Sequence, residues 1–367
     1  MPAFSFLWEN GDRMNLELLA EAFPAGLDGA LIDSAVNRRY FTGFSSSAGL
    51  LVATKKGSVF LTDSRYIEAA RDRVDCCEVT ELKNLEEQLP EIARRFGCRR
   101  LALESERLSC AQARRFAKYL GGVEIVDDGS LDKSIDGLRA VKSEEEIALV
   151  KAAQRIAEKA FDHILGFIKE GVTERETALE LDFFMLKNGA DAVSFQTIVA
   201  GGPNSSVPHW VASDRAFERG DFITMDFGAE TGGCRSDMTR TVALGCADGR
   251  QAKVYQTVLE AQTACLNALA PGLACKDADK AARDVIAAAG YGAFFGHGTG
   301  HGVGLEIHEE PTLSPRGEGA LAQGSVVTVE PGIYIPGVFG VRIEDMALIT
   351  AGGCENLTRS AKDFLVI

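Results

Sequence analysis

The chain has 367 residues, of which 46% are apolar and 25% charged, with a formal net charge of −14. That length allows two domains of ordinary size, each with its own core, and the composition excludes disordered, collagen-like and membrane classes. The negative charge also argues against a nucleic-acid partner, because holding a polyanion takes clustered Lys and Arg.

No apolar run approaches the roughly 18 residues of a membrane helix. The opening segment MPAFSFLWENGDRMN lacks the basic and apolar stretches of a secretory leader, so no membrane association is expected and the cytoplasm is the default location. Nine cysteines, with Cys76 and Cys77 adjacent and no Cys-x-x-Cys, are expected to be buried thiols rather than a disulfide framework or a thiolate zinc site. The acidity is uneven: residues 1–133 carry 18 basic and 21 acidic side chains (net −3), and residues 134–367 carry 21 and 32 (net −11). The second region is where cations are expected.

In chain order, short β-rich runs (29–32, 49–52, 58–61, 101–103) mix with helical stretches (85–96, 111–120), which predicts an α/β domain over 1–133. The polar stretch DDGSLDKSIDG, 127–137, reads as a linker. A second domain, 134–367, then opens on a long helix with a capping box at Ser143 and Glu146 and apolar Ile147, Val150, Ala157, Phe161, Ile164 and Ile168 at helical spacing. His163 on this helix reads as structural. A second helix starts at the box Thr173/Glu176 and stops at Asn188-Gly189.

This region repeats itself after about one hundred residues. The turn at Gly171 and the stop at Gly189 return at Gly272 and Gly290, and GDFITMDFG (220–228) aligns with GSVVTVEPG (324–332), placing Asp226 on Glu330. Each strand runs into a second carboxylate-bearing strand, with Asp237 in one half and Glu344 in the other. A Thr231-Gly232 turn would put Asp226 opposite Asp237, and a loop centred on Gly337 would put Glu330 opposite Glu344. Single acids are most often solvated. Opposed carboxylates ~5 Å apart on apolar strands, however, would repel by roughly 3 kcal/mol at an effective dielectric of 20, so a cation is expected between them.

Three of the five histidines fall in GHGTGHGVGLEIHEEP, 296–311. Its alternating glycines make a helix costly, which removes the zinc-helix reading of His297 and His301. His301 through His308 is expected to run as an extended strand. Oxygen-rich ligation with one imidazole suits Mn²⁺, Co²⁺, Fe²⁺ or Zn²⁺. Two such ions ~3.5–4 Å apart could hold a hydroxide between them, which makes hydrolysis the natural reaction class.

At these residues, MDFGAETGGCRSDMTRT (225–241), the His-rich segment and VEPGIYIPGVFGVRIEDM (329–346), the sequence resembles the pita-bread metallopeptidases: aminopeptidase P, prolidase, methionine aminopeptidase and metal-free creatinase. The resemblance implies an α+β chain, a creatinase-like N-terminal domain followed by a pseudo-two-fold pita-bread catalytic domain, and a homodimer. It implies two divalent ions, Mn²⁺ first among the candidates, with Asp226 on one, His301 and Glu330 on the other, and Asp237 and Glu344 bridging. The segments NRRYFTGFSSSAG (37–49) and TDSRYIEAA (62–70) are more similar to the aminopeptidase P side than to prolidase.

The implied activity is removal of the N-terminal residue from peptides with proline in second position. The alternative is a prolidase acting on Xaa-Pro dipeptides; a non-catalytic or amidinohydrolase member is disfavoured because the ligands and the histidines are both kept. The scheme assigns Glu330 as proton acceptor, His209 to the oxyanion, and His308 to protonation of the proline nitrogen. His297 would shape the proline pocket, Arg342 would meet a carboxylate or carbonyl, and Trp210 is read as core packing.

Overall fold

The computed structural model describes residues 11–367; the opening segment read for a leader lies largely outside them. The chain divides into two compact units, with the boundary between Arg139 and Ala140. Each is built as a separate body.

The first unit holds α1 (Gly11–Ala22), β1 (Gly29–Ile32), α2 (Ala35–Thr42), β2 (Leu50–Thr54), β3 (Gly57–Thr62), α3 (Ile67–Arg73), β4 (Glu78–Glu81), α4 (Leu85–Phe96), β5 (Arg100–Leu103), α5 (Cys110–Tyr119), β6 (Glu124–Val126) and α6 (Ser130–Ala140). Its six strands form one mixed sheet in the order β4-β3-β2-β1-β5-β6. Leu31, Val52, Leu61 and Leu101 pack beneath Leu89 of α4 and Phe116 of α5. The expected linker is instead α6. Leu131 and Ile135, one helical turn apart, are 1% and 0% exposed, and burying such side chains is worth about 1.5–3 kcal/mol each. The polar residues around them masked that two-residue stripe.

The second unit opens on α7 (Glu144–Ile164) and α8 (Glu174–Lys187), each with the expected capping box. The first helix stops at Ile164, so Ile168 packs from beyond its end. The strands that follow are β7 (Ala192–Val193), β8 (Ile198–Gly201), β9 (Phe222–Phe227), β10 (Ala229–Thr231), β11 (Cys234–Arg235) and β12 (Met238–Ala243). Then come α9 (Gly249–Ala268), α10 (Cys275–Ala288), β13 (Gly300–Gly302), β14 (Glu309–Leu313), β15 (Val326–Val329), β16 (Gly332–Ile335), β17 (Phe339–Arg342), β18 (Asp345–Thr350) and β19 (Gly353–Asn356).

The repeat is visible in the backbone. Gly171 and Gly272 take φ of +87° and +84°, and the helix-ending Gly189 and Gly290 take +104° and +86°, a region closed to most L-residues. The Gly171 amide donates to Phe217 O as Gly272 does to Leu321 O, and Glu174 donates to Arg215 O as Cys275 does to Gly319 O. Each half has its own core: Phe161, Leu181 and Met225 in the first, Val258, Ile286 and Val327 in the second. The halves meet where the Glu344 amide donates to Thr239 O and Thr241 Oγ1 donates to Arg342 O.

Two local expectations are corrected. In the first hairpin Thr231 pairs with Cys234, so the turn is Gly232-Gly233 and Asp226 faces Thr239 rather than Asp237. In the second, Val329 pairs with Asp345 and Gly332 with Arg342, a register that keeps Glu330 opposite Glu344. The cysteines are all free, but only Cys98, Cys234, Cys265 and Cys275 are buried; Cys76, Cys77 and Cys354 are half-buried, and Cys110 and Cys246 are exposed. No described helix is long and apolar enough to cross a membrane.

Candidate metal centre

Asp226 is the penultimate residue of β9, Asp237 precedes β12, Glu330 follows β15 and Glu344 precedes β18. Because side chains alternate along a strand, the two-residue slip of the first hairpin leaves Asp237 on the face of Asp226, diagonal rather than opposite. His301 comes from β13, which is only three residues long, so the expected strand from His301 to His308 ends at Gly302. On either side of His301, a Cβ on Gly300 would lie 2.0 Å from Thr328 O and one on Gly302 would lie 2.3 Å from Glu310 O. These glycines let β13 lie close between its neighbours, with the imidazole as the side chain it offers.

The imidazole meets the acids directly. Its Nε2 is 3.3 Å from Glu330 Oε1 and 3.7 Å from Asp237 Oδ2, while Nδ1 lies 3.1 Å from Gly302 O. A carbonyl only accepts, so Nδ1 carries a proton; burial opposes a charge on the ring, but the hydrogen bond to Glu330 raises the His301 pKa, so the charged ring donates from Nε2 to Glu330, and loss of that proton frees the Nε2 lone pair. Ligand atoms of Asp237, His301 and Glu344 lie within 4.8 Å of one another. Thr239 Oγ1 donates to Glu344 Oε2 at 2.7 Å and receives Arg342 Nε at 3.0 Å. Arg342 also donates to Asp226 Oδ2 at 2.5 Å and to the Tyr334 hydroxyl at 2.9 Å. The guanidinium is thus directed into the acid cluster.

The charge is incompletely compensated. Burial pushes Asp237 well above the ordinary carboxyl range, helped by Glu344 and Asp226, and burial with Glu330 and Asp226 does the same to Glu344. Burial also raises Asp226. Glu330 goes the other way: burial opposes its charge, but the hydrogen bond from His301 overrides it and pulls the carboxyl down to about 2. Asp226 Oδ1, Asp237 Oδ1 and Glu344 Oε1 are buried without a hydrogen-bond donor. A buried acceptor left unmet costs about 1–3 kcal/mol, more when charged. Orphaned carboxylate oxygens on Asp226, Asp237 and Glu344, with ligand atoms of Asp237, Glu344 and His301 gathered within 4.8 Å, fit divalent cations of the Mn²⁺, Fe²⁺, Co²⁺ and Zn²⁺ type once His301 Nε2 gives up its proton.

The other sequence-derived residues surround this cluster. His297 is half-buried, with Nδ1 2.8 Å from Gly298 O and Nε2 2.9 Å from Tyr334 Oη, so the tyrosine donates to the ring and receives Arg342. Burial lowers the His297 pKa and lifts the Tyr334 hydroxyl to about 12, which keeps both neutral near pH 7. His308 is exposed, its ring centroid 4.4 Å from that of His301, and burial of its inner side together with His301 lowers its pKa. His209 is exposed on the loop after β8, near enough for its charge to act on Asp226, His297 and His308. Trp210 is not simply core packing, since its indole N–H donates to Glu174. His163 lies apart, bonded to Glu180 and stacked on Phe184.

Sequence reasoning missed Thr239, Tyr334 and Lys142. Thr239 stands two residues after Asp237, the spacing of one strand face, which was the available signal. Lys142 gave none: its Nζ contacts Glu309 Oε2 at 2.9 Å across 167 residues, the side chains being 1% and 4% exposed. Glu309 follows His308 directly, so the pair pins the segment that presents this histidine. Lys142→Met is expected to destabilise the protein by about 3–5 kcal/mol in chemical denaturation, the cost of removing one partner from a buried pair.

Residues 148–351 match Metallopeptidase family M24, and residues 17–141 match the Creatinase/Prolidase N-terminal domain. The chain belongs to metallopeptidase family M24, with a creatinase-type domain ahead of a pita-bread catalytic domain. It is 37% identical to an Xaa-Pro dipeptidase of Pyrococcus horikoshii over 92% of this chain and 95% of that one. Among solved structures it is similar to an Xaa-Pro dipeptidase from Bacillus anthracis (TM-score 0.93, 41% identity, 96% of this chain and 99% of that one). It is also similar to an X-Pro aminopeptidase from Thermotoga maritima (TM-score 0.86, 38% identity, 93% and 98%).

Proposed function

We propose that this hydrolase cleaves the bond before proline in a metal-dependent reaction, with the Xaa-Pro dipeptide as its substrate. The observation that carries the metal dependence is the set of buried, donor-less oxygens on Asp226, Asp237 and Glu344. The relatives named Xaa-Pro dipeptidase favour the dipeptide over the longer peptides expected from residues 37–49 and 62–70. Aminopeptidase activity is retained as the second reading because of the relative named X-Pro aminopeptidase.

Asp226, Asp237, His301, Glu330 and Glu344 would hold two divalent ions. When bound, such ions acidify water and polarise a carbonyl. Glu330, a buried carboxylate beside His301, would take the proton that the attacking water gives up. His209 on its exposed loop donates to the carbonyl oxygen as negative charge develops there. The proline nitrogen carries no hydrogen and departs poorly as an anion, so His308 supplies the proton that makes it an amine. His297, held neutral against Tyr334, walls the proline side.

Two measurements test this. Under Mn²⁺ a dipeptide such as Ala-Pro is expected to exceed the tripeptide Ala-Pro-Ala in kcat/KM by at least about tenfold, the ~1.4 kcal/mol of one charge-assisted contact to the terminal carboxylate. Faster cleavage of the tripeptide would return the assignment to aminopeptidase. His308→Ala should lower turnover about 10²-fold while the metal content measured by atomic emission stays unchanged; loss of metal would make His308 a ligand instead.

A further inference from the structure

The loop bearing His209 converges on a buried side chain that no motif singled out. Glu174, the first residue of α8, is 0% exposed. Its Oε1 accepts from the Gly201 amide and Asn204 Nδ2, both at 2.8 Å. Its Oε2 accepts from Trp210 Nε1 at 2.8 Å, the Ser213 amide at 3.0 Å and Ser213 Oγ at 2.6 Å. Five donors from both ends of a thirteen-residue arc, 201–213, thus converge on a single carboxylate.

A glutamate at the start of a helix needs no special explanation, since the dipole favours it. Here, though, all five donors come from the loop and none from the helix. The repeat supplies an internal control. The position matching Glu174 in the second half is Cys275, which makes the same backbone bond to its own preceding segment (Cys275 N to Gly319 O, as Glu174 N to Arg215 O). The helix start is therefore built without a carboxylate, and Glu174 serves what only the first half carries. That is the loop of His209: its first turn is also tied to the second half, where Ser205 and Ser206 accept from the Gly340 and Gly337 amides and Pro208 O from Arg342, but Val207 and Val211 on either side of His209 are exposed and add little by packing.

We propose that Glu174 is a positioning residue that fixes residues 201–213 and so holds His209 in place over the acid cluster. This rests on the reading of His209 as the group that meets the substrate carbonyl. Glu174→Gln keeps the shape but turns one acceptor into a donor facing other donors, so the arc should loosen without loss of the metal ligands.

The chain has two tryptophans, Trp8 and Trp210, so a Trp8→Phe background makes Trp210 a single reporter. In it, E174Q is expected to move the Trp210 indole N–H resonance and to raise iodide quenching of its fluorescence severalfold, with bound metal unchanged. kcat/KM should fall by roughly 10–100-fold, the effect of an ångström-scale misplacement. H209A should fall by a similar factor, and E174Q/H209A no further than H209A alone. Ser213→Ala, which removes one donor from the loop side, should show the same signature more weakly and reports even if E174Q fails to fold. An unmoved Trp210 signal in E174Q and S213A, or losses that multiply in the double variant, would overturn the proposal. Full turnover by H209A would instead remove His209 from the reaction, leaving the loop-fixing role to be decided by Trp210.

Discussion

Asp237→Asn is expected to lower turnover by about 10³-fold or more, as removal of several kcal/mol of transition-state stabilisation implies, and yet to make the metal-free protein more stable. Both effects come from one geometry. Asp237 is 4% exposed, its Oδ1 has no donor, and Glu344 and Asp226 push its pKa up, so in the absence of ions its charge is a burden on the fold. An amide of the same shape removes that repulsion and a ligand together. Thermal melts should therefore cross: the chelated variant above the chelated parent, the Mn²⁺-loaded variant below the loaded parent. A variant that keeps turnover within tenfold of the parent would show that Asp237 does not hold an essential ion.

Metal removal by a chelator should abolish hydrolysis and make the stability contributed by Asp237 and Glu344 fall as pH rises above the ordinary carboxyl values. Asp237 and Glu344 have folded-state pKa values raised above their ordinary 3.8 and 4.5. The stability they contribute is complete below those ordinary values, where they are protonated in both states, and is lost as pH climbs through the folded values. Glu330, drawn down to about 2, has the opposite sign, but its contribution is present above about 4.5 and lost only on acidification toward 2. It is constant across the window of the experiment. Adding Mn²⁺ at 100 times its dissociation constant would restore about 2.7 kcal/mol, with a larger rise in melting temperature at pH 8 than at pH 5.5. The lowered pKa values of His297 and His308 act the other way, adding stability as pH rises, but only up to their ordinary 6.5; a chelated protein whose melting temperature rises between pH 7 and 8 would therefore mean that the acids are not buried against one another.

The clustering of Asp237 and Glu344 with His301 was legible in the sequence because the acids recur at matched places in two halves. The first hairpin register was misread, though the needed information was present. A tight two-residue turn of the hairpin type wants positive φ at both central positions, which β-branched Thr231 resists, whereas Gly232 and Gly233 adopt +57° and +83°. The error did no damage to the metal reading because a slip of two preserves the face. What stayed hidden was long-range: Thr239 to Glu344, Lys142 to Glu309, Glu174 to Trp210. Local pattern encodes period and punctuation, and it carries no record of which distant polar group a chain folds against.

Neither half of the catalytic unit holds the whole cluster of acids and imidazole. Asp226 and Asp237 come from the first, His301, Glu330 and Glu344 from the second, while each half keeps a separate oily interior. A divalent ion at that junction would act as a rivet between two leaves, so the affinity of the protein for its metal and the grip of one leaf on the other would be a single thermodynamic quantity measured in two ways.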